Sequence, residues 1–510
     1  MAVLDPFTLD DGRRGYRVSN PATLEPIGEF MVSTADEVRE VVASASAAQK
    51  EWAKVPLKKR IEIVSRAIEV IRDRQEDLID VICADTGRGR VESYLMEIIP
   101  SFDAIAWCCN NAEKQLADRK LRPQTLLATK SLTITYRPIG VLGVIVPWNG
   151  PFVLSVNPSV PALLAGNAVV IKPSEVTPFS GSMIQEIFEQ AGLPKGLLQV
   201  VKGDGSTGAA LIDAGVNKIS FTGSTATGRK VAEACGRNLI SYSLELGGKD
   251  AAIVCADADI DRAAKGVVYG SFFNTGQFCC ATERVYVVRS VADEFIQKVV
   301  AYVNELKQSD DGTQDLSALT MPRQVEIIEE QVNDALAKGA RALTGAQRNE
   351  GIKGVAYMPT VLVDVNHQMK IMHDETFGPV IPIMVVEDEA EAIALANDSI
   401  YGLSGCVWTK NKKKGLEIAR QMDTGSVNVN ESSLTFGVHK APFGGTKQSG
   451  VGFVHGEDMI RHFTRQVPVI TDIFGLKEEQ NWYPLTEKKY NDMKGFMSKF
   501  YGSKLFRKLA

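Results

Sequence analysis

No stretch of the 510-residue sequence reaches the ~18 uninterrupted apolar residues that a bilayer-crossing helix requires. Histidine is scarce. The five present (His367, His373, His439, His455 and His462) show no HxxxH spacing, and no two cysteines form CxxC, so no dedicated metal site is expected. Eight cysteines (Cys83, Cys108, Cys109, Cys235, Cys255, Cys279, Cys280 and Cys406) are too few for a disulfide framework, and the two adjacent pairs cannot bridge internally without strain. Reduced thiols in a cytoplasmic protein are expected instead. The opening MAVLDPFTLDDGRRG lacks a basic segment followed by an apolar one, which argues against a secretory leader. A net charge of -5, spread along the chain, argues against nucleic acid as a partner. Neither internal repeats nor low-complexity tracts stand out. What remains, 45% hydrophobic and 23% charged residues, is the composition of an ordinary globular protein too long for one core.

Local patterning predicts an α/β protein. Apolar residues near 3.6 spacing make Thr34–Asp85 helical, with Thr34 as the first cap, and Glu92–Ala117 helical with Cys108 and Cys109 packed inside. Thr133–Tyr136 alternates like a half-exposed strand, and Val141–Val146 reads as a buried one. Strand, turn and helix then recur from Ala168, Leu198 and Lys218, each strand ending in a Gly/Ser/Lys loop. Short apolar strands alternating with helices imply a parallel, Rossmann-like sheet with ligands beyond the strands' carboxyl ends. A second block begins after Gly248 with the strand Ala251–Cys255 and the helix Ile260–Phe272, and runs to a glycine-rich loop, Phe443–Gly452. The last segment, Lys477–Ala510, is basic and aromatic.

Three short stretches carry chemistry. FFNTGQFCCATER (Phe272–Arg284) sets a cysteine pair just before a strand-like run, so a thiol there can face a cleft on a held backbone. LELGGKD (Leu244–Asp250) places the carboxylate of Glu245 before two glycines, and VPWNGP (Val146–Pro151) places the carboxamide of Asn149 in a loop after an apolar strand. A thiol, a carboxylate and an amide donor are the parts needed to make and then hydrolyse a thioester.

With KPSE, FTGS, ETFGPV and PFGGTKQSGVG, these stretches stand in the order and approximate spacing of the aldehyde dehydrogenase superfamily, which the sequence resembles from about Asn20 to about Gln466. The resemblance implies two Rossmann-like parallel-sheet domains plus a small β oligomerisation arm. Residues 1–120 and 140–247 would bind NAD, 248–459 would be catalytic, 121–139 and 460–476 would form the arm, and 477–510 would be a C-terminal extension. It makes Cys279 the nucleophile with Cys280 its bystander, Asn149 the oxyanion donor and Glu245 the base for the hydrolytic water. The cofactor residues it implies begin with Trp148 and the loop Lys172, Ser174 and Glu175. They continue with Gly203 and Gly205, with Phe221, Gly223, Ser224 and Thr227, and with Leu246, Glu375 and Phe377. A carboxylate at Glu175 accepts from a ribose 2′-OH and repels a 2′-phosphate, favouring NAD, with NADP the second candidate. Activity with CoA in place of water, and a catalytically silent relative, are the rival expectations. The presence of Glu245 opposes the first, and the complete thiol, base and amide set opposes the second.

Two positions depart from the family pattern. Gly150 stands where an aromatic residue usually follows the asparagine, which predicts a wider substrate tunnel. Arg465 in HFTRQV stands in place of a glutamate. The candidate tunnel residues Gly150, Leu154, Asn157, Phe273, Phe278 and Phe443 carry no charge and so predict an uncharged or apolar aldehyde. The arm strands predict a homodimer or homotetramer. In the extension, Met493, Phe496, Met497, Phe500, Tyr501 and Leu505 near helical spacing, with Lys499, Lys504, Arg507 and Lys508, are compatible with packing on a subunit or with peripheral membrane contact.

Overall fold

Val141–Ile145 is buried at every position, with Ala168–Lys172 on one side of it and Lys218–Thr222 on the other. A computed structural model of the chain describes residues 3–313, 315–479, 481–504 and 508. Leu198–Val200 and Ser241–Glu245 extend the sheet to five parallel strands, and the short strand Gly450–Val451 closes one edge antiparallel to Ser241–Glu245. That last pairing sets Leu244 opposite Val451 and Glu245 opposite Gly450, so the glycine-rich loop near the C-terminus ends as an edge strand beside the carboxylate. Only glycine fits there: a Cβ on Gly450, at φ +154°, would lie 2.2 Å from the carbonyl oxygen of Leu244.

Helices cover this sheet for the reasons their sequences give. Ala35–Trp52 begins with a capping box in which Thr34 Oγ1 accepts from the Glu37 amide while the Glu37 carboxylate accepts from the Thr34 amide. Its buried residues Val38, Val42, Ala45 and Trp52 share one stripe. The stretch read as one helix from Glu92 to Ala117 contains a single π-turn, Tyr94–Ile98, before Ile99–Leu116. Cys108 and Cys109 are buried in it. Helix Val153–Leu164 contains Pro158 and Pro161, which cannot supply the amide hydrogens that the carbonyls of Leu154 and Asn157 would otherwise receive.

The second sheet has seven strands, in the order Arg341–Thr344, Thr360–Val363, Val380–Val386, Thr282–Val288, Asp250–Val254, Gly405–Trp408 and Asn428–Val429. All neighbours run parallel except the first pair. Its strands read as continuous apolar runs because both faces are covered. Ala251 and Ile253 enter one core while Ala252 and Val254 enter another, and Tyr286 and Val285 divide in the same way.

Lys130–Pro138 and Thr464–Asp472 pair antiparallel along nine residues, with Arg119–Leu121 on the far side. Thr464–Asp472 is therefore an edge strand, and Arg465 lies exposed on it opposite Arg137. An N-terminal antiparallel sheet (Leu4–Thr8, Arg14–Ser19, Pro26–Met31) was not anticipated from the sequence. In the extension, Glu487–Gly502 is helical, capped by Thr486, with Tyr490, Phe496 and Tyr501 exposed and Phe500 buried. Leu505 and Arg507 lie outside the described residues. No helix among the described residues is long and apolar enough to cross a membrane.

Candidate active site

The cysteine loop is held by the residues that precede it. Helix Ile260–Phe272 ends, and Asn274 and Thr275 follow at φ +53° and +56°, two consecutive left-handed residues that turn the chain sharply. Their cost is met by hydrogen bonds. Asn274 Nδ2 donates to the Gln277 carbonyl at 2.8 Å, Gln277 Nε2 donates back to the Asn274 carbonyl at 3.1 Å, and Gln277 Oε1 accepts from the Thr320 amide at 2.9 Å. The Glu92 carboxylate receives the Asn274 amide. Gly276 backs onto Gly378, whose carbonyl oxygen would be 2.2 Å from any Cβ. The polar NTGQ segment thus braces a buried turn and ends two residues before Cys279 and five before strand Thr282–Val288.

Asn149 meets this loop directly: its Nδ2 donates to the Gln277 carbonyl at 3.2 Å, and Asn274 Nδ2 lies 3.4 Å from the Asn149 carbonyl. Cys279 is half-buried while Cys280 is buried, with 3.6 Å between the sulfurs. Burial, followed by the neighbouring Cys279, pushes the Cys280 thiol well above its ordinary pKa, so it stays protonated. Glu245 ends strand Ser241–Glu245, and its two carboxylate oxygens are buried without a hydrogen-bond partner. Burial, and secondarily the charge of Cys279, raises its pKa well above the usual carboxylate range. Glu245 and Cys279 line one cavity, walled also by Leu154, Asn157, Phe436 and Phe443. Gly248 lets the two strands approach, since a Cβ there would stand 3.1 Å from the Cys279 carbonyl oxygen.

The expected cofactor residues from Trp148 to Leu246 fall at or just beyond the carboxyl ends of the first sheet's strands, where parallel sheets hold ligands, whereas Glu375 and Phe377 precede strand Val380–Val386 of the second sheet. Lys172 is buried, its Nζ donating to the Gly203 carbonyl at 2.8 Å and to Glu175 at 3.3 Å. Ser174 is buried and its hydroxyl accepts from the Val176 amide at 3.2 Å. Ser224 caps helix Thr225–Arg237 and accepts from the Thr227 amide at 3.3 Å. Gly223 leaves room for Phe221, whose ring would be 2.7 Å from a Cβ, and Leu246 packs against Gly228 of the same helix. Trp148 and Phe377 meet edge-on at 5.4 Å. Glu375 accepts from the Gly248 amide at 3.1 Å, and burial, with Glu283 nearby, raises its carboxyl pKa to about 8. This set fits a dinucleotide: a helix start with a hydroxyl for phosphate, a lysine–glutamate pair for one ribose and a buried carboxyl for the other.

Several features were not read from the sequence. Gly203–Gly208 (GDGSTG) has the G-x-G-x-x-G spacing after a strand, which corrects the expectation that the chain holds no such pattern. Asp204 already caps helix Gly205–Asp213 through the Ser206 amide and pairs with Arg14 at 3.1 Å, so a carboxylate occupies the place a phosphate would take. Lys249 and Glu283 form a buried ion pair at 2.7 Å. Glu283 also accepts from the amides of Thr376 and Phe377 at 2.7 and 2.8 Å, which ties the Glu245 loop to the Glu375 loop. Of the cavity wall, Leu154, Asn157 and Phe443 were anticipated and Phe436 and Val454 were not. Phe278 packs edge-on against Phe273 and Phe436 at 5.7 and 6.5 Å. Leu154 lies beside Gly150, its Cδ1 3.3 Å from where a Cβ there would stand.

Residues 7–469 match the sequence profile of the aldehyde dehydrogenase family. The chain is 39% identical over 477 residues to the 4,4′-diapolycopene aldehyde oxidase of a Methylomonas species, covering 93% of this chain and 89% of that one. It is 40% identical over 464 residues to a Mycolicibacterium smegmatis protein provisionally named succinate-semialdehyde dehydrogenase, NADP(+), covering 90% and 89%. Among solved structures, the Mycobacterium tuberculosis aldehyde dehydrogenase complexed with NAD+ superposes with a TM-score of 0.86 at 34% identity, covering 91% of this chain and 96% of that one.

Proposed function

The chain belongs to the aldehyde dehydrogenase family and is an NAD(P)-dependent aldehyde dehydrogenase, and from that premise we propose that it oxidises an uncharged aldehyde to the acid through a thioester on Cys279. The thiolate of Cys279 forms a bond to the aldehyde carbon, and the carbonyl oxygen becomes an oxyanion. Asn149 Nδ2, which reaches the cysteine loop, and the backbone N–H of Cys279 are the donors for that charge. A bound nicotinamide supplies the acceptor for the hydride that leaves the same carbon. Lys172, Glu175, Ser224 and Glu375 would hold the dinucleotide, with Glu175 favouring NAD over NADP.

Hydrolysis falls to Glu245. It takes a proton from water as the water oxygen attacks the thioester, and Cys279 leaves as thiolate. Burial is the first cause that raises the Glu245 carboxyl, so it serves as base at a pH above the usual carboxylate range.

Among the described residues no Lys, Arg or His lines the cavity, so a carboxylate on the substrate would find no cation from them there. The unpaired edge of Thr464–Asp472 supports a homo-oligomer, and the exposed aromatics and lysines of the extension leave either a subunit or a membrane surface as its contact.

The observation that carries the proposal is one cavity holding the Cys279 thiol and the unpartnered Glu245 carboxyl. The test is NAD(P)H release from a panel of aldehydes without CoA, repeated on Cys279→Ala. Turnover that needs CoA, or that survives the substitution, overturns it.

A further inference from the structure

Asn157 is 2% exposed, and neither its side-chain oxygen nor its side-chain nitrogen has a hydrogen-bond partner. A buried amide left this way costs stability, so its position calls for a ligand that satisfies it. The side chain lines the cavity that holds Cys279 and Glu245. It sits on helix Val153–Leu164 with Leu154 one turn before it, and the wall around it is mostly apolar, with Phe436, Phe443 and Val454, and Ser220 and Thr222 are its other neutral polar residues. The helix is buried along nearly its whole length, and Ser155 and Ser159 hydroxyls bond back to the Pro151 and Ser155 carbonyls at 2.7 and 2.6 Å. The backbone beneath Asn157 is therefore fixed.

We infer that Asn157 is a specificity residue that reads an uncharged hydroxyl on the substrate, so the preferred substrates are hydroxylated aldehydes rather than plain hydrocarbon ones. This rests on the aldehyde dehydrogenase reading of the cavity. A carboxamide offers one acceptor and a two-hydrogen donor, and a hydroxyl both donates and accepts, so one group can satisfy both atoms. A methyl satisfies neither. A carboxylate satisfies only the donor and brings a charge that no cation in the cavity offsets. A site built to hydrogen-bond a substrate hydroxyl discriminates strongly against the analogue that lacks it, and for one neutral side chain the expected factor is about tenfold to a hundredfold.

The experiment compares kcat/KM for 3- and 4-hydroxybenzaldehyde with that for the 3- and 4-methyl analogues of the same shape, in the wild-type protein and in Asn157→Leu. Intrinsic reactivity cancels when the hydroxyl-to-methyl ratio is compared between the two proteins. The expected result is a fall in that ratio of about tenfold or more on substitution, for at least one ring position. Leucine also removes the unpaired amide, so the variant is expected to melt at or above the wild-type temperature. A ratio that does not move overturns the inference. So does a uniform loss on all four aldehydes, which would place the carboxamide with Glu245 and its water instead. If no aldehyde yields NAD(P)H, the dehydrogenase reading itself falls, whereas turnover of all four with an unmoved ratio removes only the role of Asn157.

Discussion

Replacing Glu245 by glutamine keeps the shape of the side chain and removes its ability to take a proton. The two oxygens it replaces have no internal partner, so the change breaks no hydrogen bond in the resting protein. A positioned general base contributes about 10²–10⁴ in rate, or roughly 3–5.5 kcal/mol of barrier at 1.36 kcal/mol per decade. The loss should fall on hydrolysis and spare acylation. In a rapid-mixing experiment Glu245→Gln should release NAD(P)H in a burst close to one per subunit and then turn over slowly. The pH dependence carries the sign. Burial and Cys279 hold the Glu245 carboxyl well above its ordinary value of 4.5, so the wild-type steady rate should climb with pH on the neutral-to-alkaline side and the variant's should not. The same shift acts on stability. A carboxyl whose folded pKa is raised contributes fully below the unfolded pKa and loses that contribution as pH rises towards the folded one. The melting temperature of the variant relative to wild type should therefore improve as pH rises above the ordinary carboxylate value of 4.5. A steady rate within about threefold of wild type would refute the assignment of the base. A burst lost together with the steady rate would show that Glu245 acts before the thioester forms.

Asn149→Ala should lower kcat by about 10²–10³, some 2.7–4 kcal/mol, with KM for the aldehyde changed far less; a raised KM with kcat unchanged would make it a binding residue only. A Cβ at Gly247 would stand 2.2 and 2.3 Å from the two carboxylate oxygens of Glu375. Gly247→Ala should therefore displace that carboxyl, cost it the Gly248 amide and raise KM for NAD(P) by about tenfold, measured by steady-state kinetics at saturating aldehyde. Lys249→Met leaves the buried Glu283 carboxylate without its cation, and breaking such a pair costs about 3–5 kcal/mol. Differential scanning calorimetry should show a lowered first transition, and an unshifted one would mean that Glu283 takes up a proton instead.

Much of the local structure was legible because its signals are short-range. The 3.6 spacing in Ala35–Trp52 and the capping box at Thr34 need only neighbours three or four residues away. The apolar run at Val141–Ile145 announces a strand covered on both faces, and the Asn-Thr-Gly-Gln turn announces a thiol on a held loop. What escaped notice depends on segments far apart in the chain. No local pattern marks Gly450–Val451 as the edge strand beside Glu245, because the pairing spans two hundred residues and rests on glycine admitting a carbonyl. The GDGSTG spacing shows the opposite case, a local pattern whose phosphate reading is cancelled by its own Asp204, held by Arg14 and Tyr16 from elsewhere.

The sequence by itself determined which residue types can do the chemistry: one thiol after a braced turn, one carboxylate before two glycines and one amide after a buried strand. Tertiary structure decided what surrounds them. It placed Leu154 beside Gly150, set Phe436 and Val454 into the wall, joined Lys249 to Glu283 and left Asn157 buried with nothing to bond. The reason is that reactivity is carried by single side chains, whereas burial and pairing belong to the space between elements, which exists only after the chain has closed on itself.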